Sequence, residues 1–235
     1  MRLLAAAILM LGLLCGGARA QDVDAMNRVG AWFKIFDAAL DHWRVEVPAG
    51  TDQRVVLTAK SAVAGKPQTV LVLFPRKSSA YDVAMTQLLA DFAGRMNVTF
   101  IAAHFANDPA RAAALVREAE EKKYDLVYAM GSETVAYLHA NHPAIAVPVV
   151  SICAKDPVQL GQMKDYERGS GSNFAFTSLN LLVEVQLAYL KELKPGLKNL
   201  AVLVDAKNIS AVETQSRPII AAAKAQGINA FEVAI

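Results

Sequence analysis

Three stretches of the chain run from an apolar, β-branched segment straight into a small polar loop: VPVVSICAKDPV at 147–158, GSGSNFAFTSLN at 169–180 and LKNLAVLVDAKNISA at 197–211. Hydroxyls, amides and carboxylates in such loops can hold and orient a small polar molecule. In an open α/β sheet, the loops beyond the carboxyl ends of the strands form the crevice where ligands bind. The residues that would break bonds are missing. The sequence has no Gly-x-Ser-x-Gly elbow, His-Glu-x-x-His, Cys-x-x-Cys or phosphate loop ending in Gly-Lys-Ser/Thr, and the run GSGS at 169–172 reads as a turn. The four histidines, His42, His104, His139 and His142, are scattered, and Pro143 takes the last of them off a helix, which argues against a metal site. Cys153, at the end of an apolar segment, reads as a packed small hydrophobe. No enzyme activity, metal or cofactor is expected.

The elements that must position these loops are regular from Thr69 onward. Short apolar runs at 69–74, 98–102, 126–130, 147–152, 173–177, 200–205 and 230–234 read as strands of a parallel sheet covered on both faces. Stretches at 81–95, 109–123, 133–140, 179–193 and 210–226 carry apolar residues at three- and four-residue spacing, as Val83, Leu88, Leu89 and Phe92 show. Asn107-Asp108-Pro109 supplies a cap and a first-turn proline, and Lys194-Pro195-Gly196 a stop. This alternation predicts a doubly wound α/β fold with a parallel sheet.

Residues 21–68 break the repeat. Val29, Trp32, Phe33, Phe36, Leu40 and Trp43 form a stripe that suits one amphipathic helix over 25–43, and Val55 to Leu57 suits a strand, so the segment reads as an N-terminal appendage. Ahead of it, MRLLAAAILMLGLLCGGARA has an early Arg, an apolar run and the small-residue step Ala18-Arg19-Ala20, the pattern of a cleavable secretory signal over residues 1–20. The run from Leu3 to Leu14 is too short for the roughly 20 residues of a spanning helix. A bulky Leu14 before Cys15 departs from a lipoprotein signal. Cleavage would remove Arg2 and Arg19 and no acid, which leaves the charges of the secreted chain balanced. The densest charge run, REAEEKK at 117–123, has mixed sign at helical spacing, so no nucleic-acid partner is expected.

In the order and spacing of VPVVSICAKDPV, GSGSNFAFTSL and LAVLVDAKNISAVE, the chain from about Thr69 to its end resembles the substrate-binding proteins of ABC transporters, which have a periplasmic-binding-protein-like fold. The resemblance implies two α/β lobes with a small polar solute, such as an amino acid, closed between them, a periplasmic location, and a membrane permease as partner. Carried over by position, Ser78, Ser79 and Tyr81 follow the first strand, and Gly131 and Ser132 open the helix after the third, where backbone N–H groups suit an anion. Glu133 opposes that role unless it turns outward. Asp156 is the candidate partner for a ligand ammonium. Asp205, Asn208 and Ser210 would reach in from the second lobe. Capping explains most of these polar residues equally well, and only their convergence separates the two readings.

One departure stands out. Residues 69–193 read as a complete first lobe, but 194–235 hold room for only two strands of a second, which predicts a C-terminally truncated receptor with an exposed apolar sheet surface. A protein that engages a membrane partner as an extracytoplasmic sensor or assembly factor would tolerate such a shortened lobe, and is the alternative function.

Overall fold

The computed structural model of the chain describes residues 27, 29–35, 39, 41–206, 208 and 211–235. The expected signal segment at 1–20 and the candidate contact Ser210 lie outside the described residues. The strands are β1 (Trp43–Glu46), β2 (Arg54–Ala59), β3 (Gln68–Phe74), β4 (Val98–His104), β5 (Leu126–Met130), β6 (Val149–Ile152), β7 (Phe174–Ala175), β8 (Asn199–Val204) and β9 (Asn229–Ala234). The helices are α1 (Ser79–Phe92), α2 (Pro109–Glu121), α3 (Gly131–Asn141), α4 (Val183–Leu193) and α5 (Arg217–Ala225), the last entered through a π turn at Val212–Ser216. Asp108 caps α2 as the sequence predicts, its carboxylate accepting from the N–H groups of Ala110 and Arg111. Among the described residues no helix is long and apolar enough to cross a membrane.

β1 to β7 form one sheet in the order β1-β2-β4-β3-β5-β6-β7. From β4 through β7 it is parallel, with β3 pairing β4 on one side and β5 on the other. β3 is apolar nearly throughout because both of its faces are covered. Val70, Val72 and Phe74 enter one core with Met85 and Leu89 of α1, and Leu71 and Leu73 enter the other with Leu115 and Val116 of α2 and Leu138 of α3. The chain lays β4 on one flank of β3 and then crosses to lay β5 on the other, so the strand order reverses beside β3 and opens a crevice at the carboxyl ends.

The N-terminal segment corrects the sequence reading. Residues 30–35 are turn and irregular backbone, and Trp43 opens β1, so no single helix spans 25–43. Trp32 and Phe33 pack on Phe74 with ring centroids 5.6 and 5.8 Å apart, and the Trp43 indole N–H donates to Leu89 O at 3.0 Å. Burial on the sheet face left open by α1 overrides the helical spacing, and the alternating burial of Trp43 to Glu46 follows the two-residue period of a strand. β2 pairs antiparallel with β4, so the expected appendage is an extension of the main sheet.

A second correction concerns α4, which the sequence reading places with the first lobe. Its buried Val183 and Leu187 join Ala223, Ile228 and Ala230 in a separate core beneath the parallel pair β8–β9. That pair is a sheet of its own, and it leaves Leu203 67% and Phe231 45% exposed.

Candidate functional site

The strand ends beside the reversal carry a mixed-charge cluster. Gly131 follows β5 directly at φ +79°, a conformation that favours glycine. A Cβ there would lie 1.9 Å from the Tyr81 hydroxyl oxygen, so the glycine lets α1 set Tyr81 against the start of α3. From that position the Tyr81 hydroxyl donates to Glu133 Oε2 at 3.2 Å, while Arg76, in the loop after β3, donates from Nε to Glu133 Oε1 at 2.9 Å. The Ser132 hydroxyl donates to Oε2 at 3.4 Å, and the Arg76 guanidinium lies 5.8 Å from the Tyr81 ring centre.

The pKa shifts follow from this packing. Burial works to raise the Glu133 pKa, but the residue's own backbone N–H, Arg76 and Tyr81 outweigh it and hold the carboxyl below its ordinary range. The hydrogen bond to Glu133 raises Arg76 in turn. Burial first, and then the Glu133 charge, push the Tyr81 phenol well above its usual value. Glu133 therefore turns inward and serves its own helix start, where the sequence left room for a ligand anion.

The loop after β6 supplies Cys153 to Asp156. Thr177, beyond β7, fastens it: its hydroxyl oxygen accepts from Cys153 N–H at 3.2 Å and lies 2.7 Å from Ser151 O, to which it donates. Burial pushes the Cys153 thiol up, in keeping with a packed side chain, and pushes the Lys155 ammonium down. Asp156 is buried, and its Oδ1 accepts from the N–H groups of Val158 at 2.8 Å and Gln159 at 3.1 Å. The Tyr166 hydroxyl lies beside it and beside Ser178. The structure thus gives Asp156 the capping role that the sequence set against ammonium binding.

Of the residues read from the sequence, Tyr81, Gly131 and Ser132 meet at one place. Ser78 occupies the N-cap position of α1 without a capping bond from its hydroxyl, and Ser79 is exposed in the first turn. Asp205 and Asn208 follow β8 on the other sheet, where Asn208 Oδ1 accepts from Ala211 N–H at 3.2 Å. The sequence reading missed Arg76 and Lys155 as candidate contacts, since nothing local to either marks it. His139 packs edge-on against Phe174 at 5.9 Å, and His142 lies 3.4 Å from the Tyr137 hydroxyl, so the two histidines serve different aromatic contacts. Among the described residues no group of three or more His, Cys, Asp or Glu side chains is placed to hold a metal ion.

A parallel sheet with a reversal beside its central strand, and polar loops gathered there, defines a binding lobe of the periplasmic-binding-protein type. The family model for ABC transporter substrate binding proteins matches residues 93–235, and the chain belongs to that family. Among solved structures it is similar to an ABC domain in complex with L-Trp from Streptococcus pneumonia, at 19% identity and a TM-score of 0.56, covering 72% of this chain and 58% of that one. A conserved domain protein from Vibrio cholerae gives 23% identity, a TM-score of 0.56 and coverage of 72% and 58%. A ligand-free, open substrate binding protein with adhesive properties from Clostridium difficile gives 20%, 0.54, and coverage of 72% and 57%. The chain therefore spans less than three-fifths of the length of these relatives. No curated protein matches it.

Proposed function

We propose that this chain is the solute-binding component of an ABC transporter, acting outside the cytoplasm, and that it holds a small polar solute of the amino-acid class in the crevice at the carboxyl ends of β3, β5 and β6. The observation that carries the reading is convergence: Arg76 and Tyr81 from the first of these strand-loop junctions, Ser132 and Glu133 from the second and Lys155 from the third share one electrostatic neighbourhood. Capping alone does not call for side chains from separate loops to meet. The L-Trp bound by the Streptococcus pneumonia relative supports the amino-acid class. Ser78, Ser79, Tyr81, Gly131, Ser132 and Asp156 are the proposed first-lobe contacts, and Asp205, Asn208 and Ser210 those of the second unit. Delivery would be to a membrane permease.

Thermal unfolding of the purified protein against a panel of amino acids and small organic acids tests the reading. A ligand that binds only the native state adds about 2.7 kcal/mol at a hundredfold excess over its Kd. A raised midpoint with one chemical series supports solute capture, and a cooperative transition that no compound moves contradicts it.

The apolar side chains exposed on β8–β9 favour a second reading, in which an extracytoplasmic sensor or assembly protein uses this fold to engage a membrane protein. Co-purification separates the two: a permease and its ATPase support transport, a sensor kinase or other membrane complex the alternative.

A further inference from the structure

The segment ahead of β1 reaches the crevice by two separate routes, which end at Tyr81 and at the residue beside it. The first is a run of rings. Trp32 is fixed by its indole N–H, which donates to Asp52 O at 2.6 Å, and by a stack on His104 at the end of β4, with ring centroids 5.2 Å apart. Trp32 and Phe33 in turn hold Phe74, the last residue of β3, and the Phe74 ring meets Tyr81 edge-on at 6.3 Å. Edge-to-face rings at such distances attract one another and favour one relative orientation.

The second route is a single bond. The Lys34 backbone N–H donates to Asp82 Oδ1 at 3.0 Å, 48 residues along the chain, and Asp82 is buried. An aspartate in the first turn of a helix ordinarily serves that helix's own unpaired N–H groups, and at α1 the N-cap Ser78 makes no side-chain bond that would take over the task. Asp82 is spent on the N-terminal segment instead. A bond to an ionised acceptor is about twice as strong as a neutral one, so this link ties the first turn of α1 to a segment already anchored at Asp52, His104 and Phe74.

We propose that Asp82 is a positioning residue of the crevice: through Lys34 it holds the first turn of α1 in place and so keeps the Tyr81 hydroxyl on Glu133 and against Gly131, where it meets the solute. The inference rests on the solute-binding reading and adds to it a residue that does not touch the solute. It also gives the N-terminal segment a task beyond covering the sheet. Residues 32–34 are the fixed point from which the contact side chain is aimed.

The phenol carbon of Tyr81, followed by carbon-13 NMR through an alkaline titration and assigned with Tyr81→Phe, reads the position of this ring with no solute present. Burial first, and then the Glu133 charge, hold the phenol above the ordinary tyrosine value of about 10. Asp82→Ala should bring it down toward that value. The same variant should weaken, by about threefold to tenfold, the amino acid or organic acid that most raises the unfolding midpoint of the parent. Asp82→Asn, which keeps an oxygen to accept from Lys34, should restore both, and Asp91→Ala, the same loss of charge at the exposed far end of α1, should change neither. Lys34→Pro removes the donor in place of the acceptor and serves if the Asp82→Ala variant does not fold. A lowered unfolding midpoint with the Tyr81 titration as in the parent would overturn the inference and leave solute binding standing. A phenol that moves while the affinity stays the same would overturn it too. A midpoint that no compound raises in the parent would remove the solute-binding reading and the inference together.

Discussion

The seven-stranded sheet and the β8–β9 pair are built from similar strand-helix units, yet they bury their sequence differently. β3 is covered on both faces, by α1 and the N-terminal aromatics on one side and by α2 and α3 on the other. β8–β9 is covered by α4 and α5 through a small core, and it shows Leu203, Phe231 and Ile235 to solvent. The polar cluster stands at the end of the better-buried sheet. A binding site needs groups held in one geometry, and a sheet packed on both faces is the part of this molecule that can hold them.

That contrast is open to breaking by substitution, and the largest effect belongs to the core of the main sheet. Phe100 is fully buried between Trp43 and Phe92, so Phe100→Ala should cost about 3–5 kcal/mol in a urea titration. Leu203→Ala on the exposed face should stay within about 0.5 kcal/mol. Similar losses at the two positions would mean that the sheets do not differ as described.

A smaller effect sharpens the site itself. Gly131 and Gly50 share a φ of +79°, but an added Cβ meets the Tyr81 hydroxyl at the first and nothing within 4 Å at the second. Each Gly→Ala change should cost about 1–2 kcal/mol for the left-handed backbone. Gly131→Ala should cost more than Gly50→Ala and alone perturb the Tyr81 fluorescence and the Tyr81–Glu133 hydrogen bond. Equal costs with an unmoved Tyr81 would deny the glycine its positioning role.

The smallest effect lies where the sheet meets α2. Arg54, Lys122 and Tyr124 all donate to Glu118, and the Arg54 bond first among them brings its carboxyl from 4.5 to about 2. A depressed carboxyl stabilises the fold above its unfolded pKa, and this contribution fades as pH falls from about 4.5 toward 2. Glu118→Gln should therefore lower the unfolding midpoint at pH 7 and converge with the parent near pH 2. A gap that persists at pH 2 would point to lost packing instead of lost charge.

The parallel strands were legible in the sequence because each is a short apolar run bounded by turn residues. β3 to β9 all fall within a few residues of the runs beginning at Thr69. The N-terminal segment was misread because Val29, Trp32, Phe33 and Trp43 repeat at helical spacing, although the force that places them is burial against Phe74 and Leu89. The packing of α4 with Ala223, Ile228 and Ala230 is hidden from the sequence for a related reason: periodicity shows that a helix has an apolar face but not what that face meets. At the site, Gly131 and Tyr81 could be named from position, but the Arg76–Glu133 pair joins residues 57 apart and exists only because β3 and β5 are neighbours. The dual meaning of Asp156, cap or contact, required the N–H groups of Val158 and Gln159 to be located.

A solute held at the carboxyl ends of β3, β5 and β6 would touch the loops that follow those strands. Amide chemical-shift mapping during titration with the acid or amino acid that gives the largest thermal shift tests it residue by residue. Perturbations should concentrate at 76–81, 131–133 and 153–156, with β1 and β2 unmoved. Perturbations confined to the exposed face of β8–β9, with the crevice silent, would contradict it.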